Sequence, residues 1–291
     1  MIYRKTAGNF DKNDNFIFFN AGGVSTQQIG YSLHRYILVA INEITPSAFD
    51  KIKTWLLEGT KIFIDSGIFN LAMEHVRKTG ITHDEALSLP PNKIIGFDEL
   101  WEKYIAILTE VGDKAWGYIE MDQGGKENKI LLRAKLEKLG LSPIPVYHPF
   151  LDGWDYFDYL AERYDRICFG NVVQANAHTR MRLVATAWER KQKYPNLWIH
   201  LLGYSPNEVL NAFPINSADS STWLSNIRWS GVNERTDGKS IGSIYRNFQY
   251  KLGENISDIG CDKSVAQSAC SVHIHQLNWR AHIADIMELI K

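Results

Sequence analysis

Two aspartates, Asp65 and Asp219, each stand at the end of a short apolar run and carry carboxylates that could do chemistry. Asp65 opens the tripeptide Asp-Ser-Gly, and Asp219 is followed by two serines. Two carboxylates on separate strands can divide the work of an enzyme, one as nucleophile and the other as general acid and base. An aspartate after a strand also commonly caps a helix or forms a turn, so position alone leaves both interpretations open.

The elements that must position these aspartates are short apolar runs separated by amphipathic stretches. The runs occupy residues 15–23, 36–44, 61–67, 116–122, 143–149, 166–172, 198–205 and 214–220. Several are apolar throughout, which is typical of strands buried on both faces. Between them, apolar residues at helical spacing predict helices over 126–140, 154–164, 177–195 and 205–213, with Gly140 ending the first and Ser205 capping the last.

About eight strand–helix units predict a (β/α)8 TIM-type barrel of the α/β class. An open doubly wound sheet is the alternative, which is weakened because no Gly-x-Gly-x-x-Gly follows an early strand. We expect one domain over residues 1–291, with the barrel at about 15–223 and a C-terminal helical appendage at about 224–291. Helices near 241–252 and 264–290 are expected in that appendage.

In such a barrel, the chemistry is found at the C-terminal ends of the strands, so the polar residues that end the apolar runs are the candidates. Besides the two aspartates with Ser66 and Gly67, these are Glu120, Asp122, Tyr147, His148, Gly170, Asn171, Gly203, Tyr204, Ser220 and Ser221.

The overall composition excludes some functional classes. There are 32 basic and 33 acidic residues, so the chain is not held on nucleic acid by its total charge, and any such contact requires a local basic patch. Three cysteines do not make a disulfide framework, and the first residues show no secretory signal, which favours a cytoplasmic location. No apolar run approaches the roughly 20 residues of a membrane span.

Six motifs follow one another at barrel-like intervals: FIDSGIFN (63–70), YIEMDQ (118–123), PVYHP (145–149), ICFGNV (167–172), IHLLGYS (199–205) and INSADSSTW (215–223). Their order resembles the tRNA-guanine (queuine) transglycosylase superfamily. It looks closest to the shorter deazaguanine DNA transglycosylases and their virus-encoded relatives. The resemblance implies a pentosyltransferase that exchanges guanine for a 7-deazaguanine base, such as a preQ0-like base, in DNA.

The resemblance also implies a role for each matching aspartate. Asp219 matches the nucleophile that attacks the sugar C1′ and forms a covalent glycosyl-enzyme as guanine leaves. Asp65 matches the aspartate that handles protons on the leaving and incoming bases. Asp122 matches the aspartate that hydrogen-bonds the edge of the base. Displacement at an anomeric carbon has oxocarbenium character, which a nearby carboxylate stabilises.

Other positions are implied as contacts to the base. His148 lies where the tRNA enzymes carry a base-reading glutamine, and Gly170 matches backbone that lines the base pocket. Ser66 and Gly203 are further expected contacts. Phe69, Tyr204 and Trp223 could stack on a base, although core packing is the ordinary role of such aromatics.

The chain departs from the tRNA enzymes in its cysteines. Those enzymes hold zinc with a Cys-x-Cys-x-x-Cys motif and a distant histidine, whereas this chain offers Cys261, Cys270, His273 and His275 at a different spacing. These four side chains are adequate ligands for a structural Zn²⁺. Buried cysteines and solvated histidines are the alternative. The chemistry itself requires no cofactor.

The expected partners are DNA, or tRNA, and a free 7-deazaguanine base. Arg228, Arg235 and Lys239 are predicted to contact the nucleic acid because they follow the nucleophile and stand among aromatic residues. A solvated segment that packs its aromatics on the barrel is the alternative.

Three other functions stay open on the sequence alone. One is a tRNA-guanine transglycosylase, and another is a barrel hydrolase of a small substrate whose carboxylates and His148 hold a metal. The last is a base- or nucleic-acid-binding barrel without catalysis. The sequence does not fix the oligomeric state.

Overall fold

The strands of the barrel lie inside the eight apolar runs. The structure is a computed structural model that describes residues 5–8, 16–29, 32–33, 36–172, 175–205 and 207–221. All eight strands are parallel to their neighbours: β1 (Ile17–Ala21), β2 (Tyr36–Ala40), β3 (Lys61–Asp65), β4 (Gly117–Tyr118), β5 (Val146–Tyr147), β6 (Arg166–Phe169), β7 (Trp198–Leu201) and β8 (Ser217–Ser220).

The sheet closes on itself in chain order. β1 pairs with β2 on one side and with β8 on the other, and the pairing continues outward to β4 and β5. These two edge strands are joined by a parallel bridge between Ile119 and Ile144. The Glu120 N–H donates to the Ile144 carbonyl at 3.0 Å, and the Ile144 N–H donates to the Tyr118 carbonyl at 2.8 Å. The predicted TIM-type barrel is therefore confirmed.

Helices occupy the connections between the strands: α1 (Val24–Gln27), α2 (Pro46–Leu57), α3 (Ile68–Thr79), α4 (His83–Ser88), α5 (Phe97–Val111), α6 (Gly125–Lys138), α7 (Trp154–Ala161), α8 (Ala177–Lys191) and α9 (Asn207–Ala212). The four predicted helices are present as α6 to α9, and Gly140 adopts the expected left-handed conformation after α6. None of the described helices is both long and apolar enough to cross a lipid bilayer. The C-terminal appendage, with its predicted helices, lies outside the described residues.

The connection from β3 to β4 is the longest and holds three helices, which the sequence did not reveal one by one. α4 begins with a capping box in which the Thr82 side chain accepts the Glu85 N–H and Glu85 accepts the Thr82 N–H. Such reciprocal capping satisfies two backbone donors that a helix start otherwise leaves open. The connection from β3 to β4 reaches the mouth of the barrel through Leu87 of α4.

The interior of the barrel is filled by aromatic side chains. Phe19, Phe63, Trp116 and Trp198 all point inward and pack edge to face, with ring centroids 4.8 Å apart for Phe19–Trp116 and 5.9 Å for Trp116–Trp198. The opposite faces of the strands pack against the helices in two apolar layers. Inward and outward residues alternate because successive side chains of a strand point to opposite faces.

The N-terminal end of the barrel is sealed by the segment at residues 5–8. Arg166, at the start of β6, donates to the carbonyls of Trp116 and Ala7 and to the Thr6 hydroxyl oxygen, each at 2.6 Å. Thr6 donates its N–H and its hydroxyl to the Asp165 carboxylate. Burial of the guanidinium lowers the pKa of Arg166 to about 10.

We predict that Arg166→Met lowers the free energy of unfolding by about 3–5 kcal/mol, because it leaves several buried acceptors without a donor. The exposed Arg182 on α8 is the control, and Arg182→Met should change stability by less than about 0.5 kcal/mol. Urea unfolding of the three proteins measures both values. Equal midpoints for the two variants would contradict the role given to Arg166.

Candidate active site

A cavity of about 210 Å³ opens at the carboxyl ends of the strands. It is smaller than the roughly 300–1,000 Å³ of pockets that hold drug-sized ligands, so it suits a compact molecule. Strands β2 to β8 or the residues just after them all contribute to its wall. The lining residues are Leu38, Asp65, Ile68, Phe69, Leu87, Asp122, Gln123, His148, Gly170, Asn171, Leu202, Gly203 and Asp219.

Asp65 reaches this cavity because it is the last residue of β3 and lies two positions after the inward-facing Phe63. Desolvation, together with the negative charges of Asp122 and Asp219, raises the pKa of Asp65 to about 7. Backbone N–H groups of Ser66 and Gly67 oppose part of this rise by hydrogen-bonding the carboxylate. A group with this pKa can both give and take a proton near neutral pH.

The glycine of the Asp-Ser-Gly tripeptide is required by the backbone. Gly67 has φ 77° and is the residue that caps α3, and a side chain there would place its Cβ 2.7 Å from the Asn42 Oδ1. The N-cap residue Gly67 has no side chain, and the Ser66 Oγ accepts the Ile68 N–H at 3.5 Å at the start of α3. The Asp65 carboxylate accepts the N–H groups of Ser66 and Gly67, so it takes part in this turn and also lines the cavity.

Asp219 is held by two donors at one of its oxygens. The His200 Nε2 lies 3.1 Å from Oδ1, and the Gly203 N–H donates to the same oxygen at 2.9 Å. Gly203 has φ 65°, in the left-handed region that favours glycine. Since both contacts are to Oδ1 and Asp219 lines the cavity, Oδ2 is the oxygen left to meet a ligand.

Asp122 and His148 contact each other in the opposite wall, with 2.8 Å between Oδ2 and Nε2. The backbone of His148 is fixed in turn, because its N–H donates to the Asp152 carboxylate at 2.7 Å. The same Asp152 oxygen binds the fully buried Lys129 of α6. Lys129 of α6 thus helps to fix the end of β5 from the side of the strand that faces away from the cavity, through Asp152.

Glu120 does not face the cavity, although it stands two residues from Asp122. Its Oε1 accepts the Val146 N–H at 2.7 Å and its Oε2 accepts from Arg133 at 2.6 Å. Burial raises the pKa of Glu120, and the charge of Arg133 opposes this. Glu120 is a structural residue between β4 and β5.

Gln123 holds part of the connection from β3 to β4 at the mouth of the cavity. Its amide nitrogen donates to the carbonyls of Ala86 at 2.7 Å and Leu89 at 2.8 Å. Leu87, between them, lines the cavity together with Gln123. This contact could not be predicted from the sequence beyond the presence of a polar residue next to Asp122, because the partners of Gln123 are backbone atoms of a distant segment.

Most of the predicted site residues meet in this cavity, namely Asp65, Asp122, His148, Gly170, Gly203 and Asp219. Ser66 is buried and does not line it. Phe69 lines the rim and is 45% exposed, whereas Tyr204 is buried. The predicted nucleic-acid contacts Arg228, Arg235 and Lys239 lie outside the described residues.

The candidate zinc ligands Cys261, Cys270, His273 and His275, like Trp223, also fall outside the described part of the chain. Within that part, no three His, Cys, Asp or Glu side chains are grouped as a metal site requires.

His200 and Ser217 are site residues that sequence reasoning missed. Both are buried and point into the barrel beneath Asp219. Two signals were available in the sequence. Ser217 stands two residues before Asp219 and so faces the same way along the strand, and His200 is a polar residue inside an otherwise apolar run.

No protein-family model matches the sequence, and no curated protein matches it. A solved structure of a protein from Aquifex aeolicus VF5 aligns with a TM-score of 0.40 and 16% identity, over 73% of this chain and 85% of that one.

We predict that Asp65→Asn stabilises the protein at pH 8 by about 2–4 kcal/mol, and by little at pH 4. The folded-state pKa of about 7 lies above the unfolded value of 3.8, so folding favours the protonated form. The wild type therefore loses stability as pH rises between these values, and the amide cannot lose a proton.

Urea unfolding of both proteins from pH 4 to pH 8 measures this difference. Asp84→Asn, an exposed change on α4, is the control and should show no such trend. A stability difference between Asp65→Asn and wild type that is constant with pH would rule out a raised pKa.

Proposed function

We propose that this protein is a nucleic-acid base transglycosylase that exchanges guanine for a 7-deazaguanine base in DNA through a covalent aspartyl-glycosyl intermediate. The observation that carries this proposal is the convergence of Asp65, Asp122 and Asp219 in one compact cavity at the catalytic end of a barrel. The motif resemblance assigns different roles to the same three aspartates.

Asp219 is the proposed nucleophile. Its Oδ2 attacks C1′ of the sugar, the bond from C1′ to the base nitrogen breaks, and the base leaves with that electron pair. The two donors at Oδ1 hold the carboxylate in one orientation. A fixed near-attack geometry is worth a large part of the barrier in such displacements.

Asp65 is the proposed proton carrier. It protonates the departing base, and the resulting carboxylate takes the proton from the ring nitrogen of the incoming base. That nitrogen then attacks C1′ and displaces Asp219. The pKa of about 7 for Asp65 favours both steps, since neither protonation state is strongly preferred at neutral pH.

Asp122 is the proposed reader of the base. A purine-like edge that presents neighbouring N–H groups can bind a carboxylate through two hydrogen bonds. The contact with the His148 Nε2 holds this carboxylate in place. A base in a duplex must be turned out of the stack to enter so narrow a cavity.

The charge of the cavity supports a reaction at the sugar rather than at a phosphate. Three carboxylates line it, which favours the positive charge that develops on the sugar and repels the phosphate backbone. Phosphates must then be bound outside the cavity, and Arg228, Arg235 and Lys239 remain our proposed contacts for them. A tRNA substrate would use the same chemistry.

We predict that Asp219→Asn abolishes base exchange, by at least about 10⁴-fold, because an amide cannot form the glycosyl ester. Purified protein is incubated with DNA or tRNA and a free 7-deazaguanine base, and nucleosides are measured by mass spectrometry. Asp98→Asn, an exposed change on α5 outside the cavity, is the matched control and should keep activity. Exchange by Asp219→Asn at the wild-type rate would refute this role, and exchange into tRNA alone would correct the substrate.

We predict that Asp65→Asn and Asp122→Ala fail in different ways. Asp65→Asn should lower kcat by about 10²–10⁴-fold with little change in KM for the base, since only proton transfer is lost. Asp122→Ala should mainly raise KM, because it removes binding to the base. Steady-state kinetics with varied free base separates the two, and identical patterns would argue against distinct roles.

A further inference from the structure

A chain of hydrogen bonds runs through the barrel interior and ends on the proposed nucleophile. The Trp198 Nε1 donates to the Ser217 Oγ at 2.7 Å, and that oxygen lies 2.9 Å from the His200 Nδ1. The His200 Nε2 is 3.1 Å from the Asp219 Oδ1. All four residues are buried, in a core that is otherwise apolar and aromatic.

The matching of hydrogen-bond donors with acceptors assigns the tautomer of His200. The indole of Trp198 can only donate, so the Ser217 oxygen accepts from it. The one hydroxyl proton of Ser217 then needs an acceptor, and among the described residues the His200 Nδ1 is the one within reach. Nδ1 therefore accepts, and the proton of the neutral ring sits on Nε2, where it is donated to Asp219.

The ring has little freedom to turn. Phe19 and Phe63 pack edge to face against His200, with centroids 5.6 Å and 4.9 Å away. β7 and β8 are neighbours in the sheet, and Ser217 lies directly opposite His200 in their register. The direction of the Nε2–H is thus set by both packing and hydrogen bonding.

We propose that His200 is a positioning residue that presents Asp219 for attack, and that Trp198 and Ser217 fix its tautomer. The inference rests on the proposed function of Asp219. With the Gly203 N–H, the His200 Nε2–H directs Oδ2 into the cavity during attack. When the ester later breaks, the same two donors receive the negative charge that returns to the carboxylate, as preorganised donors do in other enzymes.

Apolar side chains in the barrel interior would be at least as stable as these buried hydrogen-bonded residues. A role at Asp219 therefore explains their presence better than stability does. Burying a hydroxyl, an imidazole and a carboxylate costs free energy, and their mutual hydrogen bonds offset this cost with little net gain in stability. The chain leads to the cavity and stops at the carboxylate that lines it.

The tautomer is tested without reference to activity. Long-range ¹H–¹⁵N spectra of protein labelled at histidine should show His200 protonated at Nε2, with its signals assigned by their loss in His200→Gln. In Ser217→Ala the ring loses its Nδ1 donor, and the two tautomers should mix. A proton on Nδ1 in the wild type, or spectra unchanged by Ser217→Ala, would overturn the inference.

The positioning role is tested by kinetics. His200→Leu removes the donor and should lower kcat for base exchange by about 10²–10³-fold with an unchanged KM for the free base. His200→Gln retains an amide donor and should recover a large part of that loss. Similar losses in the two variants, or a loss confined to KM, would contradict the role.

Cys168→Ala is the matched control for the interior. Cys168 lies on β6 beside His200, is fully buried, and takes no part in the chain. It should lose some stability but keep the wild-type kcat, whereas Ser217→Ala should lower kcat. Equal kcat values for these two variants would mean that the hydrogen bonds from Trp198 to Asp219 contribute only to stability.

A wild type without exchange on DNA or tRNA would instead refute the proposed function, while the spectra still decide the tautomer.

Discussion

The seam between β4 and β5 is the constraint on which the rest of this barrel depends. Both strands are only two residues long, and one bridge joins them. The Glu120 carboxylate takes the place of a missing ladder bond by accepting the Val146 N–H, and Arg133 neutralises it from α6. A buried pair of this kind adds little net stability, but removing one partner is costly, so it fixes geometry more than it adds free energy. His148 follows β5 directly and Asp122 comes four residues after β4, so their separation depends on this seam.

The layers of the barrel explain the electrostatics of the cavity. Below the carboxylates lie the aromatic rings of the barrel interior, together with His200 and Ser217 beneath Asp219, and the carboxylates line a cavity at the mouth. Charges in such surroundings interact strongly, which is why the neighbours Asp122 and Asp219 contribute to the raised pKa of Asp65. The same carboxylates raise the pKa of the Cys168 thiol, on top of its burial. Any positive charge that forms in a ligand is stabilised in the same way.

The sequence predicted the barrel because all eight strands fall in apolar runs, and buried parallel strands are readable in that form. It also predicted that Asp65 and Asp219 share one end, since strand ends converge there. It did not predict that Glu120 turns away from the cavity while Asp122 lines it, because the chain leaves the regular strand after Tyr118. His200 and Ser217 were not predicted as site residues for a related reason. Which of two adjacent side chains faces inward depends on register, and register depends on partners far along the chain.

The contacts that seal the other end of the barrel set an order on folding. Thr6 bonds Asp165 and Arg166 across 159 and 160 positions of sequence. The Ala7 N–H also donates to the Ser142 carbonyl at 2.9 Å, but the contacts of Thr6 with Asp165 and Arg166 must wait until β6 has been made, by which time five of the strands are already available to pair. Contacts between such distant positions are slow to form because a long loop must close first. The segment at residues 5–8 is thus made before all eight strands of the barrel, but it completes its contacts only after the sixth strand has been made.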